Sequence, residues 1–268
     1  MAVKVNNKAV SFREKYGPWA LVAGASYGLG AAWAEALARR GLNLVLLARG
    51  KEQLEASAER FKKQYAVDVM CHALDLADYE KTKNVISDLK TPIGLMVYNA
   101  AFAPIGLFED ISEEQLALAA AVNVRTPLLL AKLLSAQMIH NGRGGIILMS
   151  SLAGGQGSPR LQTYAATKAF NAVLAEGLWK ELRPRNIDVL GCVAGAILTP
   201  GYQQAEKTNA APGTLSAEQV VEQALRALGK KPIIVPGAIN KIARFVMTRL
   251  LPRRTAITIM GKNTGGLS

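Results

Sequence analysis

Trp19-Ala-Leu-Val-Ala23-Gly24-Ala-Ser-Tyr-Gly28-Leu-Gly30 is a short apolar run that breaks at a glycine turn. Five consecutive apolar residues have the length of a buried strand. An alanine-rich segment follows from Gly28 to Arg40, and Gly41 closes it as a C-terminal glycine closes a helix. The glycine spacing is G-x-x-x-G-x-G. Glycines in such a turn let the backbone bend tightly and approach a pyrophosphate closely. The helix that follows offers free N–H groups and the positive end of its dipole. A glycine pattern alone is weak evidence; a strand before it and a helix after it give it meaning. Gly24, Ser26, Tyr27, Gly28, Leu29 and Gly30 are therefore assigned to a dinucleotide.

The same alternation continues outward from this turn. Leu44–Leu47 reads as the next strand, and 51–65 as a helix with Leu54, Ala58 and Phe61 on one face. A third strand is expected over 67–71, a helix over 79–89 and a fourth strand over 93–98. Ser112-Glu-Glu-Gln115 has the form of a capping box and opens a long helix running towards Ile139. A fifth strand over 145–149, a helix over 164–182, a sixth strand over 187–193, a helix over 217–228 and a last short strand over 233–235 complete the pattern. The strands are continuous apolar runs, as expected where helices cover both faces of a parallel sheet. The expectation is one α/β domain over residues 1–268: a doubly wound, Rossmann-type parallel sheet of about seven strands with helices on both faces.

Composition narrows the function classes. The chain has 268 residues, half of them apolar, enough for a sizeable core. No uninterrupted apolar run reaches the roughly 18–20 residues that span a bilayer. The first residues carry no apolar stretch typical of a secretory signal. Cys71 and Cys192 lie far apart with no redox or metal spacing, and His72 and His140 are isolated, so no metal is expected. Buried thiols in a reducing compartment fit a cytoplasmic location. The net charge of +12 does not point to nucleic acid, because it is uneven: after Glu222 there is no Asp or Glu to the end of the chain.

The end of the second strand bears on cofactor type. An Asp or Glu there would bond a ribose 2′-hydroxyl and repel a 2′-phosphate. This chain has Ala48-Arg49 instead, and an arginine can grip a phosphate with a bidentate fork. Arg49 argues for NADP(H). Asp75, after the third strand, is a candidate partner for the adenine and equally a helix cap.

Together these residues resemble the short-chain dehydrogenase/reductase superfamily over nearly the whole chain. The matches fall in family order: the glycine turn, Asp75-Leu76, Asn99-Ala100-Ala101, Asn123, Ser150-Ser151, Tyr164-Ala-Ala-Thr-Lys168, and Gly195 with Thr199. The entry Lys15-Tyr-Gly-Pro-Trp-Ala-Leu-Val resembles the branch with 3-ketoacyl-CoA reductases and 17β-hydroxysteroid dehydrogenases. The usual threonine at the head of the glycine turn is Ala23 here. The last glycine of the Asn-Asn-Ala-Gly motif is Ala101, and the usual proline after the sixth strand is Ala194. None of these is a catalytic position. The resemblance adds Leu76, Asn99, Ala100, Gly195, Ile197 and Thr199 to the cofactor residues. It implies that Lys168 bonds the nicotinamide ribose and that Asn123 holds a water relaying protons to Lys168.

Tyr164 and Lys168 are four apart on a helix and share one face. A tyrosine of ordinary pKa near 10 is a poor base at neutrality, and an adjacent ammonium favours its phenolate. Ser151, at the end of the fifth strand, is placed to polarise a carbonyl, with Ser150 supporting it. The expected reaction is interconversion of a ketone and a secondary alcohol by NADP(H). NAD-dependent alcohol oxidation and a non-catalytic cofactor sensor are the alternatives.

The loops beyond the strand ends, 101–108, 152–163 and 196–212, should bind substrate. Phe102, Leu152, Leu161 and Tyr202 are their larger apolar or aromatic candidates, and an apolar steroid or acyl chain suits them. The family implies a homodimer or homotetramer. A basic amphipathic segment at about 238–262 places Ile239, Ile242, Val246 and Leu250 on one face, and Pro252 is expected to stop its helix. That face is expected to pack on the domain or on a partner subunit; an anionic membrane is the second reading.

Overall fold

The computed structural model describes residues 11–198 and 212–266. Its seven-stranded sheet has the order β3-β2-β1-β4-β5-β6-β9, with every pair parallel. The strands are β1 (Trp19–Ala23), β2 (Asn43–Ala48), β3 (Val69–Ala73), β4 (Ile93–Tyr98), β5 (Gly144–Ser151), β6 (Ile187–Ala194) and β9 (Ile233–Ile234). Two short strands, β7 (Ile197–Leu198) and β8 (Leu215–Ser216), pair separately. The strand order reverses between β1 and β4, which opens a crevice at their carboxyl ends.

Successive strand residues face opposite sides, and both sides are covered. Ala20, Val22, Leu44 and Leu46 pack with Trp33 and Leu37 of α2 (Gly28–Ala38). Phe61 of α3 (Lys51–Tyr65) and Val221 of α8 (Ala217–Ala227) join that layer. Leu21, Val45, Met96 and Ile146 pack on the other side with Ile86 of α4 (Tyr79–Ser87), Leu134 of α6 (Thr126–His140) and Leu182 of α7 (Gln162–Leu182).

Several boundaries differ from the sequence expectation. β3 begins two residues late because Ala66 turns left-handed (φ 52) to end α3, and the Asp68 N–H is taken by Asn43 Oδ1 at 3.0 Å. A short first helix, α1 (Phe12–Tyr16), is opened by a Ser11–Glu14 capping box that the periodicity did not reveal. The long helix comprises α5 (Glu113–Ala120), a π-helical turn (Ala121–Arg125) and α6. By length and hydropathy Glu113–His140 is apolar enough to cross a bilayer, contrary to the run-length count. Leu130, Leu134 and Met138 sit in the sheet core, so it is a core helix of this domain.

The tail departs most. α9 (Ala238–Phe245) continues into a π-helical turn (Val246–Leu250). Pro252 ends that segment and also caps a further helix, α10 (Arg253–Thr264), because proline is tolerated where a helix begins. Most of the expected apolar face does not pack on the domain: Ile239, Ile242 and Leu250 are exposed, together with Phe245, while Val246 is half-buried.

Candidate active site

The glycine turn and the end of β4 close on each other at the switch point. The Ala23 carbonyl accepts the N–H groups of both Asn99 and Ala100 at 2.9 Å. The Asn99 side chain donates to the Gly24 carbonyl at 3.0 Å. Backbone bonds thus fix the turn that a threonine hydroxyl would otherwise help to hold. Gly24 sits at φ +84, and a side chain there would meet the Ala100 backbone nitrogen at 2.7 Å. A Cβ on Gly30 would overlap the Gly24 carbonyl oxygen. Both positions therefore require glycine.

Beside this junction lies a crevice of about 650 Å³. Of the residues assigned to a cofactor, Gly24, Ser26, Tyr27, Arg49, Asp75, Leu76, Asn99 and Ala100 line it. No side chain caps the start of α2 at Tyr27, so the helix N-terminus keeps N–H groups for an anion. Gly28, Leu29 and Gly30 form that first turn. The crevice, its closely approached backbone and the uncapped helix fit a dinucleotide. Arg49 is exposed at the rim, and among the described residues no ion pair occupies it. Asp75 is also exposed, and its Oδ1 accepts the Ala77 N–H at 2.9 Å in a local turn; the helix-cap reading is corrected, because α4 is capped by Asp78, whose Oδ1 accepts the Lys81 N–H at 3.0 Å.

Phe102 stands in the same crevice with Leu118 and Val122, on the cofactor side rather than in a separate substrate pocket. Leu152 opens the 3-10 turn Leu152–Gly155, and Leu161 precedes α7. The Gly106 N–H donates to the Arg160 carbonyl at 3.0 Å, which joins two of the three expected substrate loops. Gly195 follows β6 and packs against Asn240, away from the crevice lining, and Ile197 lies in β7. Thr199 and Tyr202 lie outside the described residues.

Ser151 ends β5, the strand next to β4, and α7 carries Tyr164 and Lys168. The Ser150 hydroxyl donates to the Lys168 carbonyl at 2.7 Å and fastens α7 to the strand. Ser151 hydrogen-bonds Tyr164, which favours the phenolate, but burial is the larger influence and pushes the Tyr164 pKa up. Lys168 is 3% exposed; its Nζ donates to the Met149 carbonyl at 3.1 Å and lies 5.4 Å from the Tyr164 ring centroid. Burial pushes the Lys168 pKa down to about 8. The adjacent ammonium is expected to favour the phenolate; in the fold burial raises the Tyr164 pKa instead, and the Ser151 hydrogen bond is what opposes it.

Asn123 sits in the π-helical turn and is fully buried. Its Oδ1 accepts the Phe102 N–H at 2.8 Å, and its Nδ2 donates to the Phe102 carbonyl at 2.7 Å and to Thr167 Oγ1 at 3.1 Å. Its side chain is a clamp on the crevice wall, with both donors committed. Its backbone carbonyl accepts from Asn171 Nδ2 at 3.1 Å. Asn171 escaped the sequence reading, although it lies three residues after Lys168 on the same helix face.

A family model described as short chain dehydrogenase matches residues 18–210. A 7beta-hydroxysteroid dehydrogenase of Clostridium sardiniense is 29% identical over 256 residues, covering 94% of this chain and 98% of that protein. A very-long-chain 3-oxoacyl-CoA reductase of Phaeosphaeria nodorum is 27% identical, covering 94% of this chain and 77% of its own. A solved 7beta-hydroxysteroid dehydrogenase, studied for stereoselectivity, matches with TM-score 0.89 at 28% identity over 94% of this chain and 99% of that one. A short-chain dehydrogenase from Sphingobium yanoikuyae in complex with NADPH gives TM-score 0.74 at 28% identity, over 93% and 94% of the two chains. A glycine turn at a sheet switch point, a serine ending the fifth strand and a buried tyrosine–lysine pair accord with these matches, and the chain belongs to the short-chain dehydrogenase family, oxidoreductases of hydroxyl and carbonyl groups.

Proposed function

We propose that this chain is an NADP(H)-dependent oxidoreductase that interconverts a ketone and a secondary alcohol on an apolar, steroid-like or acyl-chain-like substrate. Arg49 carries the cofactor assignment. It is an exposed guanidinium without an ion-pair partner among the described residues, at the end of β2 and on the rim of the crevice, where a carboxylate would favour the unphosphorylated ribose. The NADPH complex of the Sphingobium relative supports the same reading. The substrate class rests on the hydroxysteroid and 3-oxoacyl-CoA relatives and on the apolar Leu152 and Leu161 in the loop after β5, where Arg160 is the one charged residue.

The cofactor, when bound, supplies or accepts the hydride. The protein's part is proton handling and orientation. Tyr164 rests as a neutral phenol, since burial raises its pKa, and so holds the proton that a reduced carbonyl oxygen requires. The Ser151 hydroxyl, already bonded to Tyr164, shares the work of polarising that oxygen. Protonated Lys168 lowers the cost of the phenolate once the proton has left.

Steady-state kinetics with both nicotinamide cofactors test the reading. Arg49→Ala should lower kcat/KM for NADPH by roughly ten- to a hundredfold, the value of charge-assisted hydrogen bonds, and leave NADH unchanged. Equal losses for the two cofactors would remove the argument. Tyr164→Phe should abolish turnover of a ketone panel by a factor on the order of a hundred or more while cofactor still binds. Turnover that survives this change would show that the proton comes from elsewhere.

A further inference from the structure

The segment formed by α9 and its π-helical turn is fastened to the domain on one side only. Asn240 is 4% exposed, and its Nδ2 donates to the carbonyls of Gly213 at 2.9 Å and Pro236 at 3.0 Å. Thr248 bonds back to the Arg244 carbonyl at 2.7 Å, and just beyond the turn Arg253 reaches the Gly155 carbonyl at 2.8 Å. Away from these anchors the segment carries Ile239, Ile242 and Leu250, which are 56%, 64% and 62% exposed, and Phe245, 56% exposed, stands at the lip of the cleft against α7. Leaving four large apolar side chains in water on one short segment is costly.

The surroundings of this ridge are cationic. Lys241, Arg244, Arg249 and Arg253 line a cleft of about 630 Å³ against α7, in which Glu176 is the one acid. Beyond Glu222 the chain has nine lysines and arginines and no carboxylate side chain.

We propose that this face docks the protein on a membrane surface of anionic phospholipid. The ridge Ile239, Ile242, Phe245 and Leu250 sinks into the acyl boundary, and the cations beside it take the lipid phosphates. Charge selects the occupant. A second copy laid on this face would bring two acid-free cationic tails together, and like charges oppose such pairing. An anionic leaflet complements them. The position also serves the active site: Asn240 grips Gly213, where the chain returns from the third expected substrate loop, and Arg253 grips the turn that follows Ser151. Docking therefore brings the turn after Ser151 to the surface in which an apolar ketone dissolves; this last clause rests on the proposed function, the docking itself does not.

Flotation of the full chain with vesicles tests the proposal. Vesicles of phosphatidylcholine with phosphatidylserine should carry the protein upward, vesicles of phosphatidylcholine alone should carry far less, and high salt should release it. Ile242→Glu with Phe245→Glu should weaken flotation roughly tenfold or more, and Lys241→Glu with Arg249→Glu should do the same. Thermal unfolding and ketone turnover in solution should be unchanged in both variants, which separates loss of docking from loss of fold or of catalysis. The proposal is overturned by absence of flotation or by flotation indifferent to both variants. Variants that shift the mass in light scattering while vesicle binding persists would also overturn it and assign the ridge to a second copy.

Discussion

Tyr164 and Lys168 show how one environment acts on two neighbouring groups. Burial disfavours the charged form of each, so it raises the tyrosine pKa and lowers the lysine pKa, the latter to about 8 from 10.5. The pairing was legible as Y-x-x-x-K, because helix geometry is local. The balance between desolvation and attraction was not, because it depends on what β5 and the turn after it bring over the helix. A consequence for stability follows from proton linkage. Between about pH 8 and 10.5 the unfolded chain binds a proton that the folded chain has released, so stability rises with pH across this window. Below about 8 the cost of the buried ammonium is fully present. Lys168→Met should therefore make the cofactor-free protein more stable near neutrality, by up to about 3 kcal/mol. The gain should shrink towards pH 10.5, while turnover is lost. Urea unfolding at neutral and alkaline pH measures this. A variant less stable than the parent at neutral pH, or a gain independent of pH, would contradict the account.

At the scale of elements, the informative departure is the π-helical turn between α5 and α6. The capping box at Ser112 and the apolar pattern predicted one unbroken helix, and the path is indeed continuous. The local widening appears only in the fold, where Asn123 must reach the Phe102 backbone with both ends of its amide. Turns of this kind recur at functional sites. Asn123→Ala would leave the Phe102 N–H and carbonyl without partners beside the crevice. The expected loss of stability is about 2 kcal/mol or more, with a raised KM for the cofactor. Thermal unfolding and cofactor kinetics check this together; an unchanged midpoint would mean that water replaces the clamp at no cost. The shift of β3 has a similar origin. Val67 is apolar enough for a strand, but the left-handed Ala66 and the Asn43–Asp68 bond delay the register by two residues.

For the molecule as a whole, the sheet separates two apolar layers. Leu37 lies in one and Leu134 in the other, and both are buried. Leu37→Ala and Leu134→Ala should each cost about 2–5 kcal/mol, the range for emptying a buried leucine site. Because the sheet stands between them, the losses should add to within about 0.5 kcal/mol in the double variant. Coupling well above that, measured by urea unfolding, would show that the two layers respond as one.

The amino-acid sequence by itself determined the alternation of strands and helices, the glycine turn, the spacing of Tyr164 and Lys168 and the arginine at the end of β2. Each is carried by neighbours along the chain, through side-chain period or backbone freedom, and so can be read locally. Tertiary structure alone decided that Asn123 spends its amide on Phe102, that burial rules the ionisation of Tyr164 and Lys168, and that the apolar face of α9 points outward. These depend on which distant segments meet. The periodicity of α9 marks an apolar face, but only the anchoring of Asn240 against Gly213 and Pro236 settles which way that face turns.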